Sequence, residues 1–377
     1  MKRGVWIMAA VIIFWCTALF ARAEDPALGE EMDAYDFSEI EQVLEKEEVE
    51  LSFGEVVYEL LTGDTDQMFR MLLKEAAEYL WDEIEKNKKG VLQVFMIAAA
   101  GALFSNFAAI FQESQIAQTA FFITYLMMLS ILAASFGLAG QIAADMIRLL
   151  LEFMKALIPA FFLSVAFVSG SLSSMAFYQM ALLMIAAVEW GMLYLLIPLI
   201  YAELVIRFVN DISGEDFLSK TAELIHTVIA WGLKTMMGLV IGIQLIQGLI
   251  LPFVDAAKMG GLKKILSFIP GIGSGASTAA QMVVGSGVLI KNGIGAAALV
   301  VILVLCAVPV VKLTVLTLMY RLAAAVIQPI SDPRMVRCVS SVGDGIQMLL
   351  KTACSAALLF FITIALVCSF TNAAYFG

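Results

Sequence analysis

The chain has 377 residues, 61% of them hydrophobic and only 15% charged, with a mean hydropathy of +0.92. Soluble globular domains are roughly 45–50% apolar and about 25% charged, so this composition excludes a soluble domain and reads as an integral membrane protein. The formal net charge of −10 is unevenly placed: Glu24 to Lys89 holds 21 acidic and 6 basic residues, and residues 90–377 hold 12 and 14. An acidic arm beside a nearly neutral body argues against nucleic acid as a partner, because phosphates would be repelled.

Residues 1–23 read as a secretory signal peptide. Lys2 and Arg3 start it, Val5 to Phe20 is the apolar run, and Ala21-Arg22-Ala23 meets the small-x-small cleavage rule. An uncleaved first transmembrane helix is the alternative, and the run is short for one. In either case the arm that follows, residues 24–89, is expected outside the cytoplasm. Two amphipathic stripes occur in the arm. Val56, Val57, Leu60 and Leu61 form the first; Met68, Phe69, Leu72, Leu73, Ala76, Leu80 and Ile84 recur at helical spacing in the second. Such helices lie on a membrane surface, on a partner protein or on the membrane body. Their polar faces are acidic rather than basic, which favours a protein partner over a lipid surface.

The polytopic body takes up residues 90–377. Val91 to Phe111 is its first apolar span and Ile116 to Ala139 its second. Gln141 to Lys155 is amphipathic, and Ala156 to Phe177 is a further span containing Pro159. Met180 to Phe208 is long and contains Pro198; Thr221 to Val254 follows. Lys263 to Gly295 then packs Pro270 and seven glycines, among them Gly271, Gly273 and Gly275, between apolar runs. Irregular backbone survives in lipid only where protein or water covers it, so this stretch is a candidate re-entrant or discontinuous helix. Ala296 to Ile330 reads as one tilted helix or as two, and Leu349 to Phe370 is the last span. The fold class is all-α: a polytopic helical membrane protein with about seven transmembrane helices, six to eight being admissible, preceded by amphipathic helices. Lys258, Lys263 and Lys264 mark one loop as cytoplasmic, and Arg334 and Arg337 mark another. Both are cytoplasmic only if an even number of crossings separates them, which supports a helix pair at 296–330 or a re-entrant glycine segment.

Ionisable groups inside spans are costly and are functional candidates by default. Glu189 lies near the middle of its span without a partner at helical spacing, and Lys291 and Lys312 lie in the later spans. A transport or gating role for Glu189 competes with burial against a lysine of another helix. Glu203 and Arg207 are four apart and can pair on one helix. Gly238 and Gly242 form a GxxxG step, followed by Gln244 and Gln247, which points to helix packing or self-association and so leaves a homo-oligomer open. The lone His226 reads as a polar tip near an interface. No CxxC or HExxH occurs, and GIGSGAS lacks the preceding strand and following acidic residue of a nucleotide fold. No catalytic, metal or cofactor site is expected, and the cysteines read as inert buried thiols.

The order of features then carries a resemblance. A signal peptide and acidic arm precede a body holding FIPGIG (Phe268–Gly273), LIKNGIG (Leu289–Gly295), AVPVVK (Ala307–Lys312) and AAAVIQP (Ala323–Pro329). This resembles the stage III sporulation protein AE family of endospore-forming bacteria. The resemblance implies a subunit of the multiprotein channel between mother cell and forespore. It implies a multi-pass protein in the mother-cell membrane around the forespore, acting with the other subunits and with a forespore membrane partner, and needed for late forespore gene expression. It makes Phe268-Ile269-Pro270 and Lys291-Asn292 family features, a bend that would help line or seal a conduit, and brings no catalytic residue. The alternative function is a stand-alone small-molecule or ion transporter with broken helices.

Overall fold

A computed structural model describes residues 35–47, 52–62, 115–169, 183–188, 190–213, 217–266 and 275–376, with Leu92, Met96 and Met180 as isolated helical positions. The signal peptide, the second arm stripe, Glu189, Pro270, Gly271 and Gly273 lie outside the described residues. All described regular structure is helical, with no strand among the described residues. In chain order the helices are α1 (Ser38–Lys46), α2 (Phe53–Thr62), α3 (Gln115–Ser169), α4 (Ile197–Ser213), α5 (Ser219–Leu266), α6 (Gly275–Ile327) and α7 (Pro333–Phe376). A π-helical turn, Trp190–Leu196, leads into α4. Pro198 lies just beyond it and has no N–H to donate, which removes one α-type bond where the winding changes.

Five described segments are long and apolar enough to cross a membrane: Phe122–Ser164, Leu183–Ile212, Ser219–Ile246, Gly287–Ile327 and Pro333–Cys368. The protein is therefore a multi-pass membrane protein. Two sequence expectations change. The spans at 116–139 and 156–177 and the amphipathic stretch between them are not separate elements: α3 runs unbroken through all of it to Ser169, past Pro159. Gln141, Asp145, Arg148, Glu152 and Lys155 are the exposed stripe of that one helix.

The second change concerns α6, which is a single helix of 53 residues through Pro309, so 296–330 is not a pair. The glycine segment is regular helix from Gly275 onward, and any broken backbone there is limited to positions before it. Glycine's entropic cost in a helix is offset where it lets a neighbour come close. A Cβ on Gly295 would collide with Cys368 Sγ and stand 3.5 Å from Phe161. Because α6 is one crossing, the lysines at 258–264 and the arginines at 334 and 337 fall at its two opposite ends, and the charge-parity argument no longer holds.

The helix termini follow from local chemistry. Asp36 Oδ1 accepts the Ser38 N–H at 2.9 Å at the start of α1. At the start of α2, Glu41 of α1 accepts from the Ser52 hydroxyl at 3.0 Å and the Gly54 N–H at 3.3 Å, a carboxylate placed against a helix N-terminus. Asn210 Oδ1 accepts the Leu218 N–H at 2.8 Å before α5. Asp332 accepts the Arg334 N–H at 2.8 Å ahead of Pro333, the first residue of α7, where a missing N–H costs nothing.

The described helices form one body with α6 at its centre. Val301, Ala297, Ala298 and Ile294 of α6 are fully buried, and α6 and α7 share the most extensive contact. Crossings set the order along the body. Phe136 of α3 stacks edge-on with Tyr201 of α4 at 5.1 Å and lies against Gly345 of α7; the Tyr201 hydroxyl donates to the Gly137 carbonyl at 3.2 Å. At one end, the turn end, Tyr125 of α3 lies beside Cys338 of α7 and near Asp211 of α4. At the other, the arm end, Phe161 of α3, Gly295 of α6 and Cys368 of α7 converge.

The arm helices are part of the body. Ile40, Leu44, Phe53, Val56, Val57 and Leu60 are all buried. Phe53 packs edge-on against Phe153 of α3 at 6.5 Å and tilts against Phe37 at 5.3 Å. The stripe expected to serve a separate partner is therefore satisfied by α3 and α6, because two short amphipathic helices gain most by burying their apolar faces at home. Their outer face is acidic: Glu39, Glu45, Glu47, Glu55 and Glu59 are exposed.

Candidate functional site

The arm end holds the most unusual polar chemistry. Lys291 of α6 is fully buried, and its Nζ donates to the Cys368 carbonyl of α7 at 3.4 Å. An ammonium removed from water needs such acceptors, and a backbone carbonyl of a neighbouring transmembrane helix is one of the few available. Beside it, Asn292 turns a buried Oδ1 into a place where no described residue donates to it. The next residue, Gly293, meets the Leu61 side chain of α2: a Cβ there would stand 3.0 Å from it. Four of the five positions from Lys291 to Gly295 thus face three different surroundings. Lys291 and Gly295 serve α7, Gly293 serves the arm, and Ile294 fills the core.

The arm is also tied by charge. Lys46 of α1 and Glu152 of α3 pair at 2.9 Å on the surface, and that carboxylate raises the Lys46 pKa above its ordinary value. Hydrogen bonds from Ser38 hold the Asp36 carboxyl below the usual aspartate value.

Several other ionisable groups in the described spans are paired, within a helix or across helices. Glu203 of α4, almost fully buried, accepts from Arg207 Nη2 at 2.7 Å and Nε at 3.0 Å, and lies 3.0 Å from His226 Nδ1 of α5. The pairing of Glu203 with Arg207 follows its spacing; the role of His226 as a tie between α4 and α5 has no signal in one sequence. At the turn end, Arg337 of α7 donates to the buried Asp211 of α4 at 3.0 Å. Arg321 of α6 donates to Asp344 at 2.8 Å and Gln347 at 2.6 Å on α7. Gln244 of α5, also buried, meets Thr363 of α7 at 2.5 Å, and its Oε1 has no donor among the described residues. Its partner Thr363 lines a cavity of about 10 Å³ with Met154, Met184 and Val240, room for about one water.

Other sequence candidates fall elsewhere. Lys312 is half-buried on α6, well away in sequence from the Lys291 cluster. Gly275 begins α6. A Cβ on Gly238 or Gly242 of α5 would meet nothing within 4 Å among the described residues. Cys306, Cys338 and Cys368 are buried and Cys354 partly so, all as free thiols, as expected. No group of three His, Cys, Asp or Glu that could hold a metal occurs among the described residues.

Comparison with known proteins places the chain. No solved structure matches it. It is similar to the stage III sporulation protein AE of Bacillus subtilis (strain 168), with 22% identity over 315 residues that cover 83% of this chain and 79% of the relative. The model of the family described as stage III sporulation protein AE matches residues 51–371, from the start of α2 through nearly all of α7. The arm helix α2, the Lys291 cluster, helices α3 to α6 and α7 as far as residue 371 fall within that match, and the chain belongs to the stage III sporulation protein AE family.

Proposed function

We propose that this protein is an integral membrane subunit of the channel or secretion complex joining mother cell and forespore, required for late forespore gene expression. In this reading residues 1–23 are removed as a signal, the arm is extracytoplasmic, and the body sits in the mother-cell membrane around the forespore. The other subunits of the complex and a forespore membrane partner are its neighbours. Its part is that of a scaffold. The observation that carries this is the arm: α1 and α2 bury their apolar faces in the body and hold a fixed row of carboxylates outward. A fixed, charged, membrane-anchored surface suits recognition of a complementary basic surface. Gly293 serves that purpose by seating α2, while Lys291, Asn292, Lys312, Glu189, Pro270, Gly271, Gly273 and Gly275 remain the positions to examine for lining a conduit. Gly238 and Gly242, open on α5, suit contact with another subunit or a second copy.

The test is charge reversal of Glu39, Glu45, Glu55 and Glu59 to lysine in sporulating cells. The variant is expected to insert normally and lose co-isolation of the other channel subunits together with late forespore reporter expression. Normal co-isolation and normal expression would remove the arm from the interface.

A further inference from the structure

Two ammonium groups of the body have nothing to hold. Lys46, Lys220 and Lys291 each meet a carboxylate or a carbonyl, and Lys155 and Lys312 also have partners. Lys234 of α5 and Lys351 of α7 are exposed, and neither ammonium has a hydrogen-bond or ion-pair partner among the described residues. Both lie in segments apolar enough to cross a membrane, where a free ammonium facing hydrocarbon is costly.

Their relative placement follows from the contact of Gln244 with Thr363, which fixes the register of α5 against α7. The two helices run parallel, both starting at the turn end. Lys234 stands ten residues before Gln244 and Lys351 twelve before Thr363, which is about 15 Å and about 18 Å toward the turn end, so their heights agree to within about 3 Å. At about 100° per residue, Lys234 is turned about 80° from the direction of α7, and Lys351 about 120° from the direction of α5. Both turns lead to the same side of the plane that holds the two axes. The lysines therefore stand next to each other on the outer face of the α5–α7 seam. With packed axes about 8–10 Å apart and long side-chain stems, both ammoniums reach a single group lying between them.

The surroundings identify that group. Trp231, 68% exposed, lies one turn before Lys234. Lys312 of α6 comes to the height of Lys351, because Arg321 meets Asp344 and the two positions lie nine and seven residues beyond that contact toward the arm end. Tryptophan and lysine gathered at one height are the mark of the headgroup level. Toward the turn end this face is charged, with Asp344 and its partner Arg321 about 10 Å away. Toward the arm end it is apolar: Ile241 and Leu245 of α5 and Leu358 and Ile362 of α7 are all at least partly exposed. A Cβ on Gly238, one turn beyond Lys234, would meet nothing within 4 Å among the described residues, so the groove is shallow-walled just above the lysines. Positive charge at one end of an apolar groove is the complement of a phospholipid with an anionic headgroup. A second copy docked here about a two-fold axis would instead bring four like charges together.

We propose that Lys234 and Lys351 hold the headgroup phosphate of an anionic phospholipid on the outer face of α5 and α7, with an acyl chain lying along Ile241, Leu245, Leu358 and Ile362 toward the arm end. This does not depend on the channel reading.

Native mass spectrometry of the purified full chain, titrated with phosphatidylglycerol or phosphatidylcholine, tests it. Phosphatidylglycerol is expected to bind the more tightly. Lys234→Gln with Lys351→Gln is expected to weaken it on the order of 30-fold and to leave phosphatidylcholine unchanged. Lys234→Arg with Lys351→Arg keeps the preference, and so does Lys155→Gln with Lys220→Gln, which removes the same charge elsewhere. In native membranes, phosphatidylglycerol with a photoreactive diazirine in its headgroup is expected to mark the peptides that hold residues 234 and 351. The proposal is overturned if the paired glutamine variant binds phosphatidylglycerol like the parent, or if the control pair weakens it equally. It is equally overturned if the photolabel reaches this face in the purified protein but not in native membranes, which would give the face to a protein partner.

Discussion

Replacing Phe53 by alanine separates the arm from the body without touching any ionisable group. The ring is fully buried, edge-on to Phe153 at 6.5 Å and tilted to Phe37 at 5.3 Å, so truncation removes contacts on both sides of the seam between α2 and α3. Phe→Ala in a packed core costs about 3–5 kcal/mol; the seam lies near the surface and can partly collapse, so the lower end, about 3 kcal/mol, applies. With 1.4 kcal/mol per tenfold, the population with the arm detached rises on the order of 100-fold. Ile40, Leu44, Val56, Val57 and Leu60 remain to hold it, so the arm stays docked most of the time. Hydrogen exchange of the full-length protein in detergent or nanodiscs measures this directly. Amides of 38–46 and 53–62 are expected to exchange faster by about that factor, while those of α6 from Ile294 to Ile302 are unchanged. Unchanged exchange in the arm would refute the packing described for Phe53. Acceleration spread equally over α6 would refute the idea that the arm opens as a unit.

Two further outcomes are expected. Glu203→Ala takes the shared acceptor from Arg207 and His226; because Arg207 is only about two-thirds buried, the cost is set at about 1–2 kcal/mol rather than the larger values for sealed pairs. Thermal unfolding should show this loss, with partial recovery in the double variant with Arg207→Ala. Asp36 has a carboxyl held below its ordinary value of 3.8 by Ser38, so its contribution to α1 is present above that value and lost as pH falls through the lower folded-state value. Fraying of α1, followed by exchange at Ile40 to Leu44, should increase as pH falls through that lower value, and Asp36→Ala, which has no oxygen to accept the Ser38 N–H, should fray at all pH values.

How much was legible beforehand depended on the range of the signal. Hydropathy over windows of a span's length identified the body as helical and membrane-embedded, and four-residue spacing was enough to pair Glu203 with Arg207. Continuity was not legible. The polar positions from Gln141 to Lys155 look like a separate surface helix, yet they are only the outward stripe of α3 where Glu152 meets Lys46. The glycines after Gly275 look like broken backbone, because nothing in the sequence shows that Cys368 and Leu61 will approach two of them. Contacts such as Arg337 with Asp211, and Gln244 with Thr363, join residues more than a hundred positions apart, where spacing carries no information.

The length of α6 has a mechanical meaning. Its 53 residues extend to about 80 Å, more than twice the thickness of a hydrocarbon core. Its unbroken backbone hydrogen bonding resists twisting, with Pro309 the one place where a bond of that ladder is missing. The same shaft touches Leu61 of the arm through Gly293 and grips Asp344 and Gln347 through Arg321 near its far end. One continuous helix therefore joins the arm contact at one end to the arginine clasp toward the other, with Pro309 between them.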